Sequence, residues 1–393
     1  MVVGIRNHVA RGFSRSGQTV IPGRGRRIRH HDSHSRLVSH ANRTPAESDG
    51  PPELDAIIVP ASRSAHNLDH AITLARAVGC HLVILCSRDA QPVEVFDLLT
   101  ARSFFEATVV EIPANYEHKI FQFETTDWVK RQFPARKSDL SIKRNVGLAM
   151  ARMLAWQRIF FLDDDIRDLD ANALRATASL LGTGSAEQSC YSAGMSSIDY
   201  PDNSVICHAR RAIGKSQDVF VSGSALAVDC TASFSFFPDV YNEDWLFFYR
   251  DAAEGRLGTS GHTATQLRYD PFASPQRAAD QEFGDVIAEG LYALLEEKLS
   301  AEYASVERWE QFIADRRQMI EEIIDLSAEA SDNIREKMLY AAEIARKTLE
   351  QIRPQMCVDY IARWRRDLVL WEETLKHLPR MASIRDALKW LEL

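Results

Sequence analysis

The most constraining feature of this sequence is a short apolar run that ends directly in three aspartates. Residues 159–162 read Ile-Phe-Phe-Leu, and Asp163, Asp164 and Asp165 follow without a break. A short continuous apolar run of this kind predicts a strand that is buried on both faces, as in a parallel sheet. In open α/β sheets, ligands bind at the carboxyl ends of such strands. The acids therefore indicate a candidate binding site at the edge of a sheet.

Three adjacent carboxylates repel one another, and a hard divalent cation relieves that repulsion. Mg²⁺ or Mn²⁺ takes oxygen ligands and bridges phosphate oxygens. Alternate residues of a strand share a face, so we expect Asp163 and Asp165 to point together while Asp164 points away. The alternative is an acidic loop that caps the next helix, since Asp is favoured at helix starts.

Composition limits the class of protein. The chain has 393 residues, enough for two domains or for one large domain with an extension. The formal net charge of −8 argues against nucleic acid as a general partner, and no apolar run approaches the length that spans a bilayer. The six cysteines form no C-x-x-C pair, so we expect reduced structural thiols in a cytoplasmic protein and no zinc site.

The sequence divides into three regions of different character. Residues 1–52 are rich in arginine and histidine and show no apolar period, so we predict a disordered segment. It could be a transit peptide, an arm that touches phosphate or anionic lipid, or an extension with no role. Residues 53–290 read as the folded α/β domain. Residues 291–393 contain no glycine and carry apolar residues at helical spacing, which predicts a helical C-terminal region.

The folded domain begins with alternating strand and helix patterns. Strands are predicted at residues 56–60, 81–86 and 107–112, with helices at residues 68–78 and 92–105 between them. These spacings are typical of right-handed βαβ units and of one half of a doubly wound sheet. No G-x-G-x-x-G or Walker loop occurs, so neither a dinucleotide cofactor nor a P-loop is supported.

Basic residues precede the acidic strand. Residues 143–156 predict a helix with Lys143 and Arg144 at its start. Free N–H groups and the helix dipole favour anions at that position, so the two cations fit phosphate or ribose binding. The alternative is a solvated polar turn.

A second acidic pair lies in an aromatic segment. Residues 234–249 place Glu243 and Asp244 among apolar side chains, and such burial would raise a carboxyl pKa toward the value useful for a general base. The alternative role is helix capping. Gly223 interrupts the strand pattern of residues 219–228, which permits close approach by a ligand or another backbone. His262 lies in a glycine-flanked loop and is a candidate metal ligand, or else a surface residue.

With the acidic strand, the preceding Arg-Asn-x-Gly helix and the later Glu-Asp pair in this order, the chain resembles glycosyltransferases of the GT-A fold. The likeness is greatest to the broad family-2-type group and covers roughly residues 54–285. It implies an α/β, Rossmann-like, mostly parallel sheet flanked by helices, followed here by an all-helical C-terminal extension.

The resemblance also implies roles for individual residues. Asp165 is expected to hold the metal, Asp163 to lie nearer the ribose, and Asp244 or Glu243 to be the catalytic base. The expected metal ligands are Asp163, Asp165 and His262. The expected nucleotide-binding residues are Pro60, Ala61, Arg63, Arg88, Asp89, Lys143, Arg144, Asp163 and Asp164. The aromatic residues Trp245, Phe247, Phe248 and Tyr249 are expected either to stack on a sugar or to pack in the core.

The implied function is metal-dependent transfer of a sugar from a nucleoside-diphosphate sugar to a hydroxyl acceptor. The Q-x-x-R-W element of processive enzymes is absent, which favours a single transfer. The His262 loop and residues 268–272 are similar to elements of retaining enzymes that glycosylate small acids such as glycerates, so inversion and retention both stay open. The alternatives are a nucleotidylyltransferase, disfavoured because residues 61–67 lack glycine, and an inactive scaffold with a helical interaction module. For the C-terminal helices, packing on the catalytic domain, an oligomer interface and a cover over the acceptor all stay open.

Overall fold

The computed structural model describes residues 30–31, 33–40, 54–182, 189–198, 200 and 204–393. Most of the arginine-rich segment predicted at residues 1–52 therefore lies outside the described residues. Within the described part, no helix combines the length and the hydropathy that crossing a bilayer requires.

The described strands form one mixed β-sheet. In chain order they are β1 (Ser39–His40), β2 (Ala56–Val59), β3 (His81–Cys86), β4 (Ala107–Glu111), β5 (Arg158–Leu162), β6 (Ile166–Arg167), β7 (Ser192–Ser197), β8 (Ser222–Asp229), β9 (Leu257–Thr259) and β10 (Thr263–Gln266). The main path of the sheet runs β1-β9-β7-β8-β5-β2-β3-β4, and β10 joins it through β6 and β7.

The direction of the strands confirms part of the prediction. β2, β3, β4 and β5 pair in parallel, as the buried apolar runs indicated. β8 runs antiparallel to both of its neighbours, β5 and β7. The sheet is therefore mixed, which the period of single strands could not reveal, because pairing direction depends on the connections between strands.

Helices cover both faces of this sheet and continue into the C-terminal region. In chain order they are α1 (Asp69–Val78), α2 (Pro92–Ala101), α3 (Glu124–Gln132), α4 (Leu140–Met153), α5 (Ala171–Ala178), α6 (Val205–Ala212), α7 (Glu243–Phe247), α8 (Tyr249–Ala253), α9 (Pro275–Glu296), α10 (Val306–Asp325), α11 (Asp332–Leu349), α12 (Pro354–His377) and α13 (Ile384–Trp390). The helical character predicted for residues 291–393 is confirmed.

Two hydrophobic cores lie on the two faces of the sheet. Ile57 and Val59 of β2 belong to one core, and Ile58 of the same strand belongs to the other, as strand alternation requires. The second of these cores also takes in Trp364 and Trp371 of α12. The C-terminal helices thus share a core with the sheet, and the boundary predicted between residues 290 and 291 falls inside α9.

A short part of the N-terminal segment lies against the folded domain. β1 pairs in parallel with β9, and the Ser39 hydroxyl donates to the Gly255 carbonyl over 2.9 Å. The His34 ring is buried and packs edge-on against Trp245 and Tyr292. Disorder was the wrong prediction for residues 33–40, because an aromatic pocket and a strand edge far along the chain supply partners that local composition does not indicate.

Candidate active site

The acidic triplet does not continue the strand that precedes it. β5 ends at Leu162, and Asp163 begins a turn with its main-chain N–H donating to the Ser224 carbonyl over 2.8 Å. The prediction that Asp163 and Asp165 share a strand face is therefore wrong, because the strand ends at Leu162, before the first of the three aspartates. The structure gives each of the three carboxylates a different set of partners.

Asp164 holds the loop that follows β2. Its buried carboxylate accepts the main-chain N–H groups of Ser62 and Arg63 over 2.7 and 2.8 Å, and it also pairs with the Arg63 guanidinium. The acidic turn and the loop after the first predicted strand are thereby fixed side by side. This is the edge where the carboxyl ends of β2 and β5 meet.

Asp165 lies beside the same arginine. Its Oδ2 accepts from Arg63 Nη2 over 2.7 Å and from Gln266 Nε2 over 3.2 Å. Burial raises the pKa of the Asp165 carboxyl, although Arg63 acts in the opposite direction. Gln266, on β10, was not singled out from the sequence. Among the described residues, its Oε1 is buried without a hydrogen-bond partner.

Arg144 connects the acidic triplet with the second acidic pair. Its side chain is only 2% exposed, and Nη2 donates to the two oxygens of Asp163 over 3.0 and 3.1 Å. Nη1 donates to Glu243 Oε1 over 2.6 Å. Burial opposes the charge, but the carboxylates of Asp163 and Glu243 hold the pKa of Arg144 well above its ordinary value.

Glu243 and Asp244 begin the short helix α7, and both carboxylates lie close to Arg144. Burial raises the pKa of both carboxyls, and Arg144 only partly offsets the effect. Asp244 accepts the main-chain N–H groups of Gly223 and Trp245 over 2.7 and 2.9 Å. Gly223 therefore permits a close approach, as its place in the strand pattern suggested, and the neighbours that approach are Asp244 and Arg144.

Lys143 occupies a different position from the one expected. α4 begins at Leu140, so Lys143 and Arg144 lie about one turn inside the helix and are buried, and the expected helix-start position is wrong. Lys143 Nζ donates to the Ala61 carbonyl over 2.7 Å and lies 3.5 Å from Asp139 Oδ1. Burial lowers the pKa of Lys143. Asp139 also pairs with Arg88, a partnership that the sequence did not indicate.

Two cavities meet at Asp163. The first, of about 260 Å³, is lined by Pro60, Ser62, Arg63, Arg88, Lys137, Ser138, Asp139, Leu140, Lys143, Asp163, Asp164 and Asp165. The second, of about 170 Å³, is lined by Arg136, Ser138, Leu140, Arg144, Asp163, Phe220, Val221, Ser222, Tyr241, Asn242, Glu243, Asp244 and Trp245. Most of the residues singled out from the sequence are thus brought together around two adjoining spaces.

A few residues singled out from the sequence lie outside these cavities. His262 is exposed in the turn between β9 and β10, and Asp89 is exposed in the loop that follows β3. Ala61 is fully buried and contributes its carbonyl to Lys143. Of the four aromatic residues, Trp245 lines the second cavity, and the others, Phe247, Phe248 and Tyr249, are buried in the core.

The carboxylates of the first cavity suit a hard cation by their chemistry. Mg²⁺ is usually held by one or two carboxylates, and substrate phosphates and water complete its coordination. Asp163 and Asp165 supply that kind of donor beside an open space. Within the described ranges, no group of three or more His, Cys, Asp or Glu side chains is arranged to hold a metal ion.

Comparison with known proteins adds no identification. No model of a protein family matches this chain, and no curated protein matches it.

Proposed function

We propose that this chain is a GT-A-like glycosyltransferase that transfers a sugar from a nucleoside-diphosphate sugar to a hydroxyl acceptor, one sugar at a time. The observation that carries the proposal is the meeting of two cavities at Asp163. One cavity combines the acidic triplet with Arg63 and Lys143, and the other contains Glu243 and Asp244.

The first cavity fits the donor. Its four cations, Arg63, Arg88, Lys137 and Lys143, suit a diphosphate. Its edge lies where β2 and β5 end, which is where nucleotides bind in open α/β sheets. Asp163 and Asp165 would hold Mg²⁺ or Mn²⁺, which stabilises the negative charge that develops on a diphosphate leaving group. Asp164 keeps the loop around Arg63 in place through its two main-chain N–H bonds.

The second cavity fits the acceptor. Asp244 lines it and accepts two main-chain N–H bonds, which orient the carboxylate. In an inverting reaction, Asp244 takes the proton of the acceptor hydroxyl as the hydroxyl attacks C1 of the sugar. Burial raises the pKa of this carboxyl toward the range in which a general base works best. In a retaining reaction the Glu243–Asp244 pair positions the acceptor instead.

Arg144 joins the proposed donor cavity to the proposed acceptor cavity. Because it bonds Asp163 on the donor side and Glu243 on the acceptor side, it fixes the separation between the two cavities. Its permanent positive charge also lies near the place where the leaving group would become negative. Precise placement of this kind is a main source of rate acceleration in transfer reactions.

Two other functions fit less well. A nucleotidylyltransferase usually carries a glycine-rich loop after its first strand, and residues 61–67 contain no glycine. An inactive scaffold gives no reason to keep buried carboxylates whose pKa values are raised beside an open cavity. A cytoplasmic location is part of the proposal, because all six cysteines are free and buried.

The proposal is tested by incubating the protein with a panel of nucleoside-diphosphate sugars, with and without Mn²⁺, and measuring release of the nucleoside diphosphate. We expect release for one donor class, and we expect it to require the metal. A thermal-shift screen of nucleoside diphosphates with Mn²⁺ identifies the base, since a ligand that binds the native state raises its melting temperature. An inactive scaffold would give neither turnover nor metal-dependent binding.

A further inference from the structure

The outer face of α12 exposes apolar residues in a region where the inner face is tightly packed. Trp364 and Trp371 are buried in the core, whereas the side chains of Val369 and Leu370 between them are 64% and 48% exposed. Single exposed apolar residues are ordinary on a protein surface. Here two adjacent apolar residues lie between a pair of arginines and a pair of glutamates on the same face of the helix.

The charged residues on the two sides of Val369 and Leu370 have opposite signs. Arg365 and Arg366 lie one turn before Val369 and Leu370, and Glu372 and Glu373 lie about one turn after them, all on the exposed side of the helix. When such a helix meets an antiparallel copy of itself about its centre, the arginines of each copy face the glutamates of the other. The pattern is therefore self-complementary, as a two-fold interface requires.

An apolar depression lies beside the same face. A cavity of about 270 Å³ is lined by Phe234, Leu246, Trp364, Leu368 and Val369, with Arg250 and Arg365 also among its lining residues. Interfaces gain most of their free energy at a few residues in well-packed, desolvated pockets near the centre of the contact. A second copy that crosses α12 brings its own Val369 and Leu370 to this place.

The arginines and glutamates already have partners within the chain, but these pairs are exposed. Arg366 pairs with Glu124 and Arg365 with Glu302, and all four side chains are about half exposed or more. Glu373 pairs with Lys376 in the same way. Exposed ion pairs of this kind contribute little to stability, so exchanging these partners for those of a second copy has a small cost.

We propose that α12 is a homodimer interface, in which two copies of the chain cross antiparallel about a two-fold axis at Val369 and Leu370. The interface is independent of the proposed sugar transfer, because none of its residues lines either cavity of the candidate active site. An oligomer interface was one of the roles that the sequence left open for the C-terminal helices, and it adds to their packing against the sheet.

Light scattering of the full chain measures the mass directly. The monomer mass is 44.4 kDa, and we expect twice that value for the unmodified protein. Val369→Asp should give the monomer mass with an unchanged circular dichroism spectrum. The matched control is Val93→Asp, since Val93 is similarly exposed on α2 and should leave the dimer intact.

Charge reversal provides the sharper test. R365E/R366E and E372K/E373K should each be monomeric alone, and mixing the two variants should restore a dimer that contains one copy of each. A monomeric unmodified protein would overturn the proposal, including the case in which residues 1–29 of the same chain cover this face. So would a dimer that persists in Val369→Asp, or two reversed variants that do not associate on mixing.

Discussion

Arg144 donates a 2.6 Å hydrogen bond to Glu243 from a position where almost no water reaches it. The two residues come from helices nearly 100 positions apart in the chain, and the bond joins the acidic pair of α7 to the interior of α4. Because the same guanidinium also holds Asp163, this contact sets the distance between the proposed donor and acceptor cavities.

Loss of this arginine should destabilise the protein strongly. Arg144→Gln leaves Asp163 and Glu243 without their cation, and removal of one partner from a buried ion pair typically costs about 3–5 kcal/mol. Arg102→Gln is the matched control, since Arg102 also donates two hydrogen bonds to a carboxylate, that of Asp69, but the two side chains are 52% and 42% exposed, so its loss should cost far less. Urea unfolding of the two variants measures the difference, and equal losses would contradict the central place given to Arg144.

The carboxylate of Asp244 should control turnover rather than donor binding. Asp244→Asn keeps the shape of the side chain and removes its basicity, so we expect turnover to fall by about 10²–10⁴-fold, with donor affinity unchanged. Since burial raises the pKa of this carboxyl, the rate of the unmodified enzyme should increase with pH as the group loses its proton, and the variant should lack this rise.

Glu254→Gln serves as the control for that experiment, because Glu254 is exposed just after α8 and lines neither cavity. It should keep the rate and the pH profile of the unmodified enzyme. If Asp244→Asn also keeps them, the carboxylate is not a base, and the retaining reaction becomes the better account.

A methyl group at Gly223 should disturb the same contact. A Cβ at this position would lie 2.8 Å from Arg144 Nη1 and 2.8 Å from Asp244 Cβ, which is closer than such atoms normally approach. Gly223→Ala should therefore displace both side chains, and a displacement of about 1 Å can lower turnover by about 10²-fold. Ser224→Ala, one residue further along β8, is the control. Steady-state kinetics distinguish the two, and full activity in Gly223→Ala would show that the placement of Arg144 is not critical.

Asp251 should make the stability of the fold depend on pH. Burial raises the pKa of its carboxyl from 3.8 to about 7, and its hydrogen bond from Ser192 over 2.6 Å does not offset the effect. Between these two pKa values the folded state binds a proton that the unfolded state has released, so stability falls as the pH rises. At about 1.4 kcal/mol per pKa unit, the loss is at most roughly 4 kcal/mol.

Asp251→Asn removes that titration while its amide oxygen can still accept from Ser192. The variant and the unmodified protein should have similar free energies of unfolding at about pH 3.5, below both pKa values, and the variant should be the more stable one at about pH 8. Chemical denaturation at both pH values gives the comparison. The same pH dependence in both proteins would show that Asp251 is already ionised at neutral pH.

Local patterns in the sequence predicted the elements of the first half of the fold. The apolar run of β3 was predicted with the bounds that the structure gives it. The helix predicted at residues 68–78 also ends where expected, and Gly79 follows it with a positive φ of 80°. The C-terminal helices were equally clear from their spacing. These predictions succeeded because the apolar pattern of a strand or helix and the residue that ends a helix can be read from neighbours in the sequence.

The partners of the site residues could not be predicted in the same way. The sequence shows that Arg144 precedes the acidic strand, but its hydrogen bond with Glu243 depends on how α4 and α7 pack together. Gln266 contacts Asp165 because β10 pairs with β6. Asp139 contacts Arg88, which lies in the loop after β3. His262 is a chemically suitable ligand, and only the fold reveals that it lies apart, in an exposed turn.

The proposed function requires that Asp165 helps to hold a cation that binds the diphosphate of the donor. Titration calorimetry with UDP and with GDP, in the presence and absence of Mn²⁺, tests it in the unmodified protein and in Asp165→Asn. Asp168→Asn is the control, since Asp168 is exposed three residues away. We predict metal-dependent binding of one nucleotide in the unmodified protein and in the control, and its loss in Asp165→Asn with the fold retained. Equal affinity in all three proteins, or binding that does not respond to Mn²⁺, would contradict the claim.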